Sequence, residues 1–177
     1  MKHSMDKVNL AKLPQVSKAD LENANKESDA WNFLFVFTDK YLEIAVGENQ
    51  EIMRDFTSSQ HTLLAYNYLY AEVCNGGFIQ LIQNGYGGYI FDNPFSDHLR
   101  EWGIEKIAEI VDKAKVIYEQ HKEKLEAQTN LEEFSKIYDE ITDFESLEDK
   151  FYDVMDNETK LIKNYVENHL KEFAVIN

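Results

Sequence analysis

Cysteine is almost missing from this sequence. Cys74 stands alone, which excludes an internal disulfide framework and a thiolate metal cluster, and such sparing use is expected in a reducing compartment. Proline, with two, and glycine, with seven, are also scarce, so long uninterrupted helices are favoured over many short strands joined by tight turns. No segment reaches the ~18 consecutive apolar residues of a membrane span. The longest aromatic run, Trp31 to Phe37, ends at Thr38-Asp39-Lys40. Met1 to Pro14 carries charges and no apolar stretch of signal-peptide length, so a cytoplasmic location is expected. Positive charge is short too: eighteen Lys plus Arg face thirty-three Asp plus Glu, for a formal charge of −15. Direct binding to nucleic acid or to an anionic membrane is opposed over most of such a surface, and a basic partner is favoured. The plainer reading of the same excess is solubility.

Apolar side chains are plentiful, at 44% of 177 residues with eleven Phe and ten Tyr, enough for one core. The expectation is an all-α, single compact multi-helix domain over residues 1–177, more elaborate than a simple four-helix bundle, with an N-terminal extension over 1–16. Ser17 with Asp20 reads as a helix start. A helix is expected from about Asp29 to Val46, stopped by Gly47, since Trp31, Leu34, Phe35, Thr38, Tyr41, Leu42 and Ala45 recur every three or four positions. Phe33, Phe35 and Phe37 also satisfy strand alternation, but the continuation through Lys40, Glu43 and Ala45 favours helix. Gln50 to Phe56 reads as a short helical turn, and Ser58 or Ser59 as the cap of a run from Leu63 to Cys74.

In the middle, Gly76, Gly77, Gly85, Gly87 and Gly88 interrupt the pattern, so one helix is expected to end at Asn75-Gly76-Gly77 and another to run from Phe78 to Gln83. Asn93-Pro94 reads as a helix opening with Asn as cap, and Gly103 as its end. Ile107, Ala108, Val111, Ala114, Tyr118 and Leu125 outline a long amphipathic helix. Asn130 with Glu133 suits a capping box, followed by a helix presenting Leu131, Phe134, Tyr138 and Ile141. Two further helices are expected, one presenting Phe144, Leu147, Phe151 and Val154, the other Leu161, Ile162, Tyr165, Leu170 and Phe173.

Catalytic signatures are missing. None of His3, His61, His98, His121 and His169 has an acid three positions before it, and no HExxH occurs. Asp139, Glu140 and Asp143 lack the ligand alternation and central glycine of a calcium loop. Gly85-Tyr86-Gly87 opens like a dinucleotide fingerprint, but Ile90 stands where the third glycine belongs, and there is no GxxxxGK[ST]. Cys74, at the end of an apolar helix, reads as a small core residue. No enzyme, cofactor or metal is expected; a hydrolase would need carboxylates distant in sequence to converge in one cleft.

One stretch departs from the background. Between residues 132 and 158, Glu132, Glu133, Asp139, Glu140, Asp143, Glu145, Glu148, Asp149, Asp153, Asp156 and Glu158 face only Lys136 and Lys150. With Phe144, Leu147, Phe151 and Val154 on one side of their helix, Glu145, Glu148, Asp149, Asp153 and Asp156 fall on the solvent side. Like charges three or four apart cost a few tenths of a kcal/mol per pair, roughly, which invites a functional reason. An ordinary solvated face is the competing reading.

Asn75, Gly76, Gly77, Phe78, Gln80 and Asn84 match an NGGFxQ pattern with a following Asn. On these residues the chain resembles the DNA-mimic protein domain family of the neisserial nineteen-kilodalton class, and the likeness covers roughly 62–173. The resemblance implies an all-α fold and, for the characterised type, a dimer whose surface carboxylates imitate DNA phosphates and occupy a DNA-binding regulator. The motif itself reads as structural, with the glycines permitting a sharp helix exit, Phe78 packing, and Gln80 or Asn84 satisfying backbone groups. The leading expectation is an acidic interaction protein that covers the basic surface of a DNA-binding protein, such as a transcription regulator, and blocks its DNA binding. Its contact would be Glu132, Glu133, Asp139, Glu140, Asp143, Glu145, Glu148, Asp149, Asp153 and Asp156. The alternative is a non-mimic scaffold or small-ligand module using the glycine and aromatic region 75–91.

Overall fold

The computed structural model describes residues 14–46 and 50–177. His3, Gly47 and most of the expected N-terminal extension lie outside them. Eight α-helices account for nearly all the regular structure among the described residues: α1 (Lys18–Ala24), α2 (Ala30–Val46), α3 (Ser58–Gln83), α4 (Gly87–Phe91), α5 (Phe95–Glu101), α6 (Glu105–Leu125), α7 (Leu131–Glu140) and α8 (Glu145–Asn168). Two-residue strands β1 (Gln15–Val16) and β2 (Val175–Ile176) and the 3₁₀ turns Gln50–Asp55 and Leu170–Glu172 complete them. The fold is all-α. The chain divides into two compact units, one of Met1–Leu64 with Lys163–Asn177, the other of Ala65–Ile162.

In the first unit the C-terminal segment is fastened by backbone and side chains. β1 pairs in parallel with β2, with the Val175 amide donating to Pro14 at 2.8 Å and that of Asn177 to Val16 at 3.0 Å. The Phe173 carbonyl accepts from the buried Tyr41 hydroxyl at 2.8 Å and from Gln60 Nε2 at 3.1 Å. Gln60 also serves the start of α3. Its Oε1 accepts from the Thr57 amide at 2.8 Å while Thr57 Oγ1 accepts from the Gln60 amide at 3.1 Å. This reciprocal capping box makes Thr57 the cap, one residue before the serines expected there. Ser17 accepts from the Ala19 amide and Asp29 from that of Trp31, so α1 and α2 begin as their sequences indicate.

In the second unit α3 carries the break expected at its glycines. Gly76 (φ −156°, ψ 19°) and Gly77 (φ 77°, ψ −172°) leave helical geometry, and the chain resumes as helix to Gln83. Gly77 occupies a region of backbone space that side chains rarely enter, and a Cβ there would fall on the Glu148 carboxylate. Phe78, fully buried after the break, packs against Phe144 at 5.4 Å and Phe91 at 6.4 Å, and Phe91 against Tyr118 at 4.8 Å. The α6 residues Ile107, Ala108, Val111, Ala114, Tyr118 and Leu125 are all buried, as their spacing requires.

Several local expectations are corrected. Asn93 does not cap α5: its side-chain Nδ2 donates back to the Gly88 and Tyr89 carbonyls, and Pro94 holds the cap position. Asn130 and Glu133 do form the capping box of α7. Leu131, however, is 85% exposed, and the core contact of that helix is Ile137, at 3%. The two last helices are one, α8, because nothing between Val154 and Leu161 breaks the ladder; Leu161 is exposed and Ile162 faces inward. Cys74 is exposed, with its thiol 3.6 Å from Met155 Sδ, and is not a core residue.

Replacing Gly77 with alanine should lower the unfolding free energy by about 1–3 kcal/mol from backbone strain, with the Glu148 contact adding to it. The same change at Gly103, where φ is 79° and nothing lies within reach of a Cβ, should cost less. Urea unfolding of the two variants measures the order, and equal losses would show that Glu148 adds nothing.

Candidate functional site

The NGGF motif sits at the break in α3, where Gly76 and Gly77 leave helical geometry and three backbone groups take side-chain partners. At the break the Tyr152 hydroxyl donates to Val73 O at 2.9 Å and the Tyr138 hydroxyl to Gly76 O at 2.5 Å. The Phe78 amide donates to Glu148 Oε1 at 2.8 Å. Each such group left unsatisfied in a buried setting costs about 1–3 kcal/mol. The motif is thus completed by α7 and α8, which supply all three side chains. Burial pushes the Tyr138 and Tyr152 hydroxyls above the usual tyrosine range, and the neighbouring Glu148 charge adds to both shifts. Gln80 and Asn84 do not serve the backbone. Both side-chain amides donate to Glu72 Oε2, at 2.9 and 2.8 Å.

The acidic stretch separates into acids with structural partners and acids without. Glu148 is half-buried against the break and not on the outer face. Glu158, 5% exposed, accepts from the Lys106 and Ile107 amides at 3.1 and 3.3 Å. It thereby serves the first turn of α6, whose cap residue Ile104 has no side-chain acceptor. Glu133 accepts from the Asn130 amide in its capping box. Glu132 pairs with Lys136 at 2.8 Å and Glu140 with Lys124. Asp139, Asp143, Glu145, Asp149, Asp153 and Asp156 are exposed and form no ion pair among the described residues.

Of these, Glu145, Asp149, Asp153 and Asp156 share α8 at spacings of four, four and three. At about 100° per residue they fall within an arc of roughly 80°, on the side away from Phe151. They form a row about 16 Å long at ~1.5 Å per residue, with one carboxylate every ~5.5 Å on average. Lys160, exposed, follows one turn beyond Asp156. The break and the row are linked through α8. Glu148 and Tyr152, which close the break, fix the rotation of the helix that carries the acids.

The sequence model of the family described as DMP19-like protein matches residues 54–169. This chain belongs to the DMP19-like protein family. It is 33% identical over 144 residues to the DNA mimic protein DMP19 of Neisseria meningitidis serogroup B (strain ATCC BAA-335 / MC58), a match covering 81% of this chain and 87% of that protein. The DMP19-like region contains the break in α3, all of α7 and the acidic row of α8.

Within region 75–91 Phe78 packs against Phe144 and Phe91, Phe91 packs against Tyr118, and a Cβ on Gly87 would crowd Tyr118 at 3.0 Å, while a cavity of about 330 Å³ lies beside Ile90 and Phe91. No group of three or more His, Cys, Asp or Glu that could hold a metal occurs among the described residues. Likewise, no described helix is long and apolar enough to cross a membrane.

Burial raises the Glu148 carboxyl above its ordinary range; the Phe78 amide opposes the shift, and Glu145 and Asp149 add to it. A carboxyl raised by folding favours the folded state fully below its unfolded pKa, and that contribution is lost as pH rises through the folded value. At neutral pH the charge on Glu148 is therefore a burden, while its oxygen is needed. Glu148→Gln keeps the acceptor without the charge and should be at least as stable as the natural protein at pH 7, the difference closing below about pH 4. Glu148→Ala should lose about 1–3 kcal/mol at both pH values. Urea midpoints at the two pH values decide, and a Gln variant as damaged as the Ala variant at pH 7 would contradict this account.

Proposed function

We propose that this protein is a DNA mimic that covers the basic surface of a DNA-binding protein, such as a transcription regulator, and so blocks its DNA binding. The observation that carries the reading is the α8 row. Glu145, Asp149, Asp153 and Asp156 stand together on the solvent side and form no ion pair among the described residues, while other acids of the same stretch are spent on caps, ion pairs and the α3 break. Asp139 and Asp143, at the end of α7 and just before α8, extend the unpaired charge.

The row's density bears on what it imitates. A single DNA strand presents one phosphate per ~3.4 Å of axis and the duplex one per ~1.7 Å. One carboxylate per ~5.5 Å is about 60% of the single-strand density, so the row resembles one strand's phosphates and not both edges of a groove. The 33% identity to a relative named DNA mimic protein DMP19 supports the same reading. The formal charge of −15 would speed encounter with a cationic partner and make the complex sensitive to salt.

The direct test reverses Glu145, Asp149, Asp153 and Asp156 to lysine and leaves Glu148 untouched. Binding to a basic DNA-binding protein captured by the natural chain should weaken by well over tenfold, with its salt dependence flattened and its competition by duplex DNA lost. An unchanged affinity in the folded quadruple variant, or binding by the natural chain that ignores salt, would end the proposal.

A further inference from the structure

The polar residues of the motif lead to a feature that the acidic row does not use. Tyr68 and Tyr86 stack with ring centroids 4.2 Å apart and 23° between planes, and Tyr89 meets Tyr68 edge-on at 6.0 Å and 77°. All three rings are partly exposed. Glu72 lies one helical turn beyond Tyr68 on the same side of α3. Its Oε2 is held by both Gln80 and Asn84, and its Oε1 takes no hydrogen bond or ion pair among the described residues. The carboxylate is close enough to Tyr86 that, after burial, it is what keeps that hydroxyl above the usual tyrosine range. A fixed acid with one open oxygen thus stands beside a stacked aromatic pair.

The chemistry of this pairing selects its ligand. An anion would be repelled by Glu72, and an apolar group would cover the rings while leaving the carboxylate oxygen unpaired. An ammonium would satisfy the oxygen and is drawn to a ring face, but it has no plane to lay against it. A guanidinium does both, because it is planar, permanently charged, binds ring faces within ~6 Å and presents N–H groups to carboxylates. The net charge of −15 favours the approach of a cationic segment.

We propose that Glu72 and the Tyr68–Tyr86 stack form an arginine-binding site, with Gln80 and Asn84 as the positioning residues that hold the carboxylate, and that its occupant is an arginine side chain of a protein partner. The site belongs to α3 and the turn after it, not to the α8 row, and stands or falls independently of DNA mimicry.

The test titrates the full chain with N-acetyl-arginine methylamide, using N-acetyl-lysine methylamide as control, and follows backbone amide and tyrosine ring signals by NMR. Saturable shifts centred on Tyr68, Glu72 and Tyr86 are expected with arginine, with a dissociation constant on the order of 1–10 mM, and lysine should bind at least about threefold more weakly. Glu72→Gln keeps an acceptor for Gln80 and Asn84 and should weaken arginine binding about tenfold or more. Tyr86→Leu should weaken arginine about threefold and lysine by less, and it decides the matter alone if the Glu72 variant does not fold. The α8 quadruple reversal should leave this titration intact, which separates failure here from failure of the mimic reading. Unsaturable shifts, shifts centred elsewhere, equal response to arginine and lysine, or full binding by Glu72→Gln would each overturn the site.

Discussion

The closure of the α3 break by Tyr138, Glu148 and Tyr152 is the constraint on which the second compact unit turns. Where Gly76 and Gly77 leave helical geometry two carbonyls and one amide take side-chain partners, and a buried backbone group without one weighs against folding by about 1–3 kcal/mol. Because the three partners come from α7 and α8, meeting this requirement also sets where those helices lie and which way α8 is turned. A motif that looks local in sequence is therefore a tertiary device. Phe78, placed immediately after the break, carries the same requirement into the core through its contacts with Phe144 and Phe91.

Once α8 is held in this way its charges sort themselves by angle. Glu148, on the flank facing α3, is drawn against the break, and Glu158, buried, supplies the α6 terminus with the acceptor that Ile104 lacks. Glu145, Asp149, Asp153 and Asp156 are left in solvent and form no ion pair among the described residues. The mutual repulsion of such acids costs only a few tenths of a kcal/mol per pair, roughly, which a helix already anchored by Phe144, Leu147 and Phe151 tolerates. The acidic stretch thus has two uses in one helix: some carboxylates build the fold, and the remainder form the surface on which the proposed mimicry rests.

Much of the fold is legible in the sequence, wherever the cue is local. Gly76-Gly77, the Asn130–Glu133 box, the α6 stripe and Gly103 all act within a few residues of themselves, so pattern and propensity suffice to place them. The failures have a common physical cause, namely partners distant in the chain. Glu148 has the spacing of a solvent-facing acid, and only its contact with Phe78, seventy positions away, draws it in. Leu131 has the spacing of a core residue but stands in the first turn of α7, where the helix exposes it, and Ile137 takes the buried place. Gln80 and Asn84 are visible as motif residues, but their common target Glu72 lies upstream of the motif. Cys74, beside the break, has neighbours set by the turn of the chain and not by the apolar run before it.

The central claim, that the break is closed by α7 and α8 and is not a loose joint, is tested most directly by native-state hydrogen exchange at the Phe78 amide. If Glu148 holds that amide as described, it should exchange only through the opening that releases the buried amides of α6, with a similar free energy. Exchange as fast as that of an unprotected loop amide, with α6 still protected, would contradict the account.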